Sequence, residues 1–170
     1  MAKDEIIAYT DGSAVLKGKC TCEKEDCPKC NQYGGYGVYI IDGEKEYMFK
    51  GGYKHTKTGR MELRAVITCL QKIKNKRRHV KIYSDSMYIV NAVNEGWLLK
   101  WERDLWQGRK NVDLIKQYLF EYRKFTYPPK LIHVKGHTGK EDENSLGNAV
   151  VDRLADYRSH KKYIEDERLE

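Results

Sequence analysis

Four carboxylate residues occupy positions from which they could act together in catalysis. Asp11 and Asp85 each follow a predicted strand, Glu62 lies at the start of a predicted helix, and Asp152 lies in a later apolar stretch. Taken singly, such a residue is more often a helix cap or a turn former. Clustered carboxylates repel one another and need cations, and hard oxygen ligands favour Mg²⁺ or Mn²⁺. Two such ions roughly 4 Å apart can hold a phosphate and activate water. The set is therefore compatible with phosphodiester hydrolysis, although spacing alone does not show that the four meet.

The apolar pattern predicts the elements that would position these acids. It gives an α/β fold, in which a hairpin and later βα units form a mixed sheet with helices on its faces. The first and fourth strands can be neighbours in such a sheet, which would bring Asp11 and Asp85 to one edge. The predicted strands cover residues 5–10, 36–41, 46–50, 80–83 and 131–134, and the predicted helices cover residues 60–73, 86–93, 112–122 and 148–163.

Length and charge narrow the class of protein. The chain has 170 residues and a formal net charge of +7, which suits one domain over residues 1–170. No apolar run approaches the roughly 18 residues that span a bilayer, and residues 1–5 lack a signal-peptide pattern, so we expect a cytoplasmic protein. Residues 50–81 contain eleven Lys or Arg residues and one acid. This excess indicates either a polyanionic partner or an ordinary solvated basic surface.

Five motifs, in order, resemble those of type 1 ribonuclease H. The resemblance covers residues 6–157 and implies a five-stranded mixed sheet, with three antiparallel strands followed by two parallel ones. It also implies an endonuclease that hydrolyses the RNA strand of RNA–DNA hybrids with two Mg²⁺ ions, for which Mn²⁺ can substitute, leaving 5′-phosphate and 3′-hydroxyl ends. The motifs are Tyr9-Thr-Asp-Gly-Ser13, Gly59-Arg-Met-Glu-Leu-Arg-Ala65, Tyr83-Ser-Asp-Ser-Met-Tyr88, Val134-Lys-Gly-His-Thr138 and Gly147-Asn-Ala-Val-Val-Asp-Arg-Leu-Ala155.

The resemblance assigns a role to each candidate catalytic residue. It implies that Asp11 bridges both ions, that Glu62 and Asp85 hold the ion near the leaving group, and that Asp152 holds the ion that activates water. His137 matches the mobile catalytic histidine of the family. Because a histidine titrates near neutral pH, His137 could shuttle a proton or assist product release. The alternative is an ordinary histidine of a surface loop.

Three tryptophans follow the second predicted helix. Trp97 and Trp101 are four residues apart and would share one helical face, and Trp106 lies five residues further on. They could pack beneath a helix or rest against the sugar and phosphate groups of a hybrid. The segment resembles the family's basic protrusion, but only Gln-Gly-Arg-Lys separates Trp106 from Asn111, so we expect a weakened grip from this part of the chain.

Four more residues are assigned to substrate binding by the same resemblance. Asn111 matches a residue that helps to bind a DNA phosphate, and Thr58 is expected to join it. Gly12 and Ser13, which follow Asp11, complete the set. Such phosphate contacts carry little sequence information, while hybrids are recognised through RNA 2′-hydroxyls and groove shape. We therefore expect weak sequence specificity.

A cysteine-rich insert at about residues 14–33 separates the first two strands. Its spacing, Cys20-x-Cys22 and Cys27-x-x-Cys30 with four residues between the pairs, resembles a structural tetrahedral zinc site. Disulfide bonds and unliganded thiols are the alternatives, of which disulfides are disfavoured inside cells.

Two other functions use related architecture. Integrases, transposases and Holliday-junction resolvases share the fold and are the first alternative, and a non-catalytic hybrid-binding module is the second. The Arg-Met-Glu motif and the Gly-His loop favour ribonuclease H, and retention of all four carboxylates argues against a module that has lost catalysis. We expect the enzyme to be a monomer.

Overall fold

A mixed sheet flanked by helices forms the framework of the protein. The computed structural model describes residues 5–16, 32–135 and 142–167. Within these residues a short 3₁₀-helix, Tyr157–Ser159, follows the last α-helix. The strands are β1 (Glu5–Leu16), β2 (Gln32–Asp42), β3 (Lys45–Lys54), β4 (His79–Ser84), β5 (Lys130–His133) and β6 (Ile164–Glu165), and the helices are α1 (Thr58–Lys72), α2 (Met87–Asn94), α3 (Trp97–Arg103), α4 (Val112–Tyr122) and α5 (Glu143–Ala155).

The sheet places β1 between an antiparallel and a parallel neighbour. The strand order is β5-β4-β1-β2-β3-β6. Strand β1 pairs antiparallel with β2 and parallel with β4, so the predicted mixed α/β sheet is confirmed. In the parallel pair Thr10 lies opposite Ser84. Asp11, the next residue of β1, and Asp85, the residue that follows β4, therefore lie side by side where the pairing of these two strands ends.

Helices cover both faces of β1. Successive side chains of a strand point to opposite faces, and Ala8 belongs to the hydrophobic core together with Leu63 of α1. Tyr9 points the other way. Its ring lies against Gly147 of α5, and its hydroxyl donates to Oδ1 of Asn144 at 2.9 Å. Helices α1 and α5 thus approach the same strand from opposite sides.

A sixth strand corrects the prediction of five. Strand β6 pairs in parallel with β3 through Tyr53 and Lys54. Two residues are too short to show an alternating apolar pattern, and the anchor that follows β6 is the buried carboxylate of Asp166, which is 4 % exposed. A search for apolar patterns therefore does not detect a two-residue strand that is held in place by a buried carboxylate.

Several other boundaries differ from the predicted ones. The last helix spans Glu143–Ala155 rather than residues 148–163. Its start is set by Asp142, whose side chain accepts a hydrogen bond from the backbone N–H of Ser145 at 2.8 Å. Helix α3 was not predicted as a separate element; Gly96, with φ of 73°, separates it from α2. Strand β1 continues to Leu16, and β2 begins at Gln32. Both ends of the predicted insert therefore belong to strands.

None of the described helices is both long and apolar enough to cross a bilayer.

Candidate active site

Asp11 and Asp85 form the floor of the candidate site. Asp11 is 6 % exposed, and its Oδ1 accepts a hydrogen bond from the backbone N–H of Gly12 at 2.9 Å. Asp85 lies between β4 and α2. The next residue, Ser86, caps α2 by accepting from the backbone N–H of Ile89 at 3.4 Å, which fixes the path of the chain as it leaves the sheet.

Glu62 reaches the same edge because β1 and α1 touch. A Cβ added to Gly12 would lie 2.3 Å from both the backbone nitrogen of Glu62 and the carbonyl carbon of Met61. No side chain fits in that space, so glycine is required for the close approach. The contact brings the first turn of α1 against Gly12 within β1 and carries Glu62 to Asp11.

The three carboxylates converge on one point. Asp11, Glu62 and Asp85 each offer a ligand oxygen, and these oxygens lie within 4.8 Å of one another. Asp11 is buried, and Glu62 and Asp85 are half-buried. Like charges this close in a partly buried position are unfavourable unless protons or cations compensate them.

The environment of Asp11 opposes its ionisation. Burial is the largest cause, and repulsion from Asp85, Asp152 and Glu62 adds to it, so that the pKa of Asp11 rises from 3.8 to about 8. The hydrogen bond from the Gly12 N–H acts in the opposite direction.

Glu62 is shifted in the same direction. Burial and then the charge of Asp85 raise the pKa of Glu62 from 4.5 to about 7, although a hydrogen bond from the side chain of Ser86 opposes the rise. Ser86 thus both caps α2 and contacts a carboxylate of the cluster. The donor set consists of hard oxygens that gain from nearby positive charge, which fits Mg²⁺ or Mn²⁺.

Asp152 approaches the cluster from α5 and stands apart from it. Its charge contributes to the raised pKa of Asp11, but among the described residues it is not one of the three converging carboxylates. Together with Ser13 and Asp156 it lines an open cavity of about 360 Å³. The hydroxyl of Ser13 donates to the carbonyl of Ala155 at 3.0 Å and so ties the end of α5 to β1.

His137 and the four cysteines of the insert lie outside the described residues, and their assigned roles stay predictions. The cysteines are Cys20, Cys22, Cys27 and Cys30.

The three tryptophans divide between core and surface. Trp101 is 6 % exposed and belongs to the core, while Trp106 is partly buried against it. Trp97 is 36 % exposed, and its ring centroid lies 6.4 Å from that of Tyr88. The guanidinium of Arg109 lies 4.5 Å from the centroid of the Trp101 ring. Packing accounts for two of the tryptophans, whereas Trp97 and its neighbour Tyr88 are both exposed.

Thr58 is the first residue of α1, and Asn111 directly precedes α4. The hydroxyl of Thr58 accepts from the backbone N–H of Ala14 at 3.2 Å. A Cβ on the next residue, Gly59, would lie 3.8 Å from Nδ2 of Asn111. The first turns of two helices therefore meet here, and helix N-termini favour negative charge.

Two features of the site were missed by the sequence reasoning. Ser86 was not assigned a role, although a Ser just before an apolar helix is a recognisable cap signal. Arg60 stands in the Arg-Met-Glu motif but received no role; its guanidinium is buried and bonded to Asp113 and Asp166. The distance in sequence between Arg60 and Asp166 hides this pair from local patterns.

Comparison with known proteins identifies the family. The family model for RNase H matches residues 3–160. A ribonuclease H of Syntrophomonas wolfei subsp. wolfei is 36% identical over 140 residues, which cover 79% of this chain and 86% of that protein. Among solved structures, LC9-RNase H1, a type 1 RNase H with the type 2 active-site motif, has a TM-score of 0.71 and 22% identity, with 91% of this chain and 72% of that chain covered. LC11-RNase H1 in complex with RNA/DNA hybrid has a TM-score of 0.58 and 16% identity, with 88% and 93% covered. The resemblance expected from the five motifs is confirmed, and the chain belongs to the ribonuclease H family of hydrolases.

Proposed function

We propose that the protein is an endonuclease that hydrolyses the RNA strand of RNA–DNA hybrids and leaves 5′-phosphate and 3′-hydroxyl ends. The observation that carries the proposal is the convergence of Asp11, Glu62 and Asp85, whose ligand oxygens lie within 4.8 Å of one another. Family membership supports the reaction type, and the cluster supports a hydrolysis that depends on divalent cations.

The donor set supports two divalent ions. Asp11, Glu62 and Asp85 offer three oxygens that lie close together, and the charge of Asp152 acts on Asp11 although Asp152 is not one of the three. Asp11, Glu62 and Asp85 would hold one ion, and Asp11 together with Asp152 would hold the other, with Mg²⁺ as the first candidate and Mn²⁺ as the substitute. When bound, such ions polarise the scissile phosphate, lower the pKa of water and stabilise the leaving oxygen.

The protein's own groups prepare the site. The contact at Gly12 fixes Glu62 against Asp11, and the Ser86 hydroxyl holds the Glu62 carboxylate. The Gly12 N–H orients the buried carboxylate of Asp11. His137 carries a proton to or from the reacting region, and its Gly-flanked loop suits a group that must move. The contacts at Gly12 and Ser86 are made before substrate binds, so the carboxylates need little reorganisation during the reaction.

The substrate surface extends from the site toward α3 and α4. Thr58 and Asn111 are donors for a phosphate of the DNA strand, and exposed Trp97 offers a flat face for a sugar or base. Gly12 and Ser13 border the carboxylates on the side of the RNA strand. A monomer supplies all of these groups.

One cleavage experiment tests the proposal. Labelled RNA–DNA, RNA–RNA and DNA–DNA duplexes are incubated with the protein with and without Mg²⁺, alongside Asp11→Asn and the exposed-site control Asp104→Asn. We expect cleavage of the RNA strand of the hybrid alone, only with Mg²⁺, lost in Asp11→Asn and retained in Asp104→Asn. Phosphatase sensitivity of the 5′ ends of the products checks the end chemistry. Cleavage of DNA–DNA would instead indicate a resolvase-type nuclease, and binding without cleavage would indicate a non-catalytic module.

We also propose that Cys20, Cys22, Cys27 and Cys30 hold a structural zinc ion. The support is the spacing of two close pairs in a polar segment. Inductively coupled plasma mass spectrometry on the purified protein should give about one zinc per chain, since a tetrahedral site takes four ligands, and Cys27→Ser/Cys30→Ser should lose it. Absence of zinc from both proteins would reject the proposal.

A further inference from the structure

A buried arginine joins the C-terminal strand to the start of α4. Arg60 is 1 % exposed. Its Nε and Nη2 donate to the Asp166 carboxylate at 2.7 and 3.0 Å. Its Nη1 and Nη2 donate to the Asp113 carboxylate at 3.0 and 2.9 Å. Two forked pairs of this kind fix the plane of the guanidinium, which a single ion pair would not do.

The second N–H of Nη1 reaches a residue assigned to the substrate. It donates to Oδ1 of Asn111 at 3.4 Å. A guanidinium has only donors, so the oxygen of the carboxamide must face Arg60 and the amide NH₂ must face away. That NH₂ group lies on the side of Gly59, where a Cβ would be 3.8 Å from it.

The backbone of Asn111 is also set for this role. Asn111 has φ of 59° and precedes α4, but its side chain makes no capping hydrogen bond. An Asn at this position normally caps the helix. Its carboxamide is instead directed to Arg60, which leaves the NH₂ group as a donor where the N-termini of α1 and α4 meet.

Asp166 holds Arg60 from the end of the chain. Its side chain is fully buried and accepts from Thr56 Oγ1 at 2.7 Å and from Arg64 Nη2 at 2.6 Å as well as from Arg60. Burial opposes its ionisation, but the hydrogen bonds from Arg60, Arg64 and Thr56 outweigh it and keep the pKa of Asp166 below its usual value. The anchor is therefore charged at neutral pH.

We infer that Arg60 is a positioning residue which, anchored by Asp166, orients the amide of Asn111 toward a substrate phosphate, so that the C-terminal strand sets hybrid affinity without touching the hybrid. The inference rests on the proposed function and deepens it. Asp166 acts through Arg60, and Arg60 acts through Asn111. Loss of the anchor should therefore weaken binding and leave the carboxylate cluster and the chemical step intact.

A double-mutant cycle tests this chain of contacts. Steady-state cleavage and fluorescence-anisotropy binding of the hybrid are measured for Asp166→Asn, Asn111→Ala and the double variant. We expect Asp166→Asn to raise KM and Kd by about 3- to 10-fold, the equivalent of roughly one weakened phosphate contact, with kcat within about 2-fold. In the Asn111→Ala background the same substitution should change neither KM nor Kd.

Two further variants distinguish a specific effect on the orientation of Asn111 from nonspecific destabilisation of the segment around β6. Glu165→Gln removes the exposed pair that Glu165 forms with His55 without touching Arg60, and it should leave KM and Kd unchanged. If Asp166→Asn does not fold, as judged by urea denaturation, Arg60→Lys replaces it in the cycle, because it keeps a cation beside Asp166 and removes the guanidinium that donates to Asn111.

The outcomes are distinct. Three results would each overturn the inference. Asp166→Asn could change KM and Kd equally in the wild-type and Asn111→Ala backgrounds, or change neither although the variant folds. Glu165→Gln could also raise KM and Kd as much as Asp166→Asn does. A wild-type protein that binds the hybrid without cutting it refutes the proposed function, while the Kd cycle still decides the inference. A wild-type protein that does neither overturns both.

Discussion

Replacing Asp11 by Asn should stabilise the metal-free protein while it abolishes cleavage. Asp11 is 6 % exposed and is surrounded by Asp85, Asp152 and Glu62, whose charges together with burial raise its pKa from 3.8 to about 8. An amide of nearly the same shape removes the ionisable group and leaves the packing unchanged. The predicted gain in stability is therefore electrostatic.

The sign and size follow from the two pKa values of Asp11. A carboxyl whose pKa is raised by folding contributes stability that is fully present below its unfolded pKa and is lost as the pH rises through its folded pKa. Between pH 5 and pH 7 the folded protein keeps a proton that the unfolded chain has released. The contribution of Asp11 to the free energy of unfolding therefore falls by about 1.4 kcal/mol per pH unit, or about 2.7 kcal/mol over this interval. In a domain of this size that corresponds to a Tm lower by about 5–11 °C.

Thermal and urea denaturation in EDTA at pH 5, 6 and 7, followed by circular dichroism, measure this slope. The difference in stability between Asp11→Asn and wild type should grow by about 2.7 kcal/mol from pH 5 to pH 7. Asp104→Asn, an exposed acid in α3's C-terminal turn, should follow the wild-type curve. Parallel curves for wild type and Asp11→Asn would refute the electrostatic reasoning, even if cleavage were lost.

Three other predictions follow from the same geometry. Mg²⁺ should raise the wild-type Tm, since a ligand present at 100 times its Kd stabilises by about 2.7 kcal/mol, and an equal rise in Asp11→Asn would contradict the assigned ligands. Gly12→Ala should lose cleavage and at least about 2 kcal/mol of stability, because its Cβ would meet backbone atoms at 2.3 Å; a urea titration that matches wild type would count against this. Trp101→Ala should cost about 3–5 kcal/mol of stability, whereas Trp97→Ala should cost less and raise the Kd for the hybrid, and the reverse order would reject the division between core and surface.

Sequence reasoning succeeded where local patterns carry the information. The predicted helix over residues 112–122 matches α4, since its apolar residues repeat at helical spacing on one side. The proximity of Asp11 and Asp85 was allowed by the predicted topology, and the register of β1 with β4 shows how it arises. Glu62 was found through its motif. It lies close to Asp11 because Gly12 has no side chain and so lets α1 approach β1.

The rest could not be predicted because its causes are distant in sequence. Strand β6 is held by Asp166, which is 106 residues from Arg60. No periodicity reports such a pair. The end of α5 is likewise set by later residues: the Asp156 side chain accepts from the Arg158 N–H at 2.8 Å, which turns the chain away from the helix.

Two groups of carboxylates lie near the start of α1, and their pKa values shift in opposite directions. The difference indicates that the two groups have different roles. On one side Arg60 and Arg64 compensate Asp166, and its pKa lies below the usual value. Two residues from Arg60, Glu62 joins Asp11 and Asp85, and the pKa values of Glu62 and Asp11 rise to about 7 and about 8. At the first cluster, arginines lie against the buried acid. At the second, the pKa of Asp11 is raised by burial and by the other carboxylates, and the one group that lowers it is a backbone N–H. A structural ion-pair network would resemble the first cluster. The second is the arrangement expected when the compensating charge comes from bound cations and the substrate reaction depends on them.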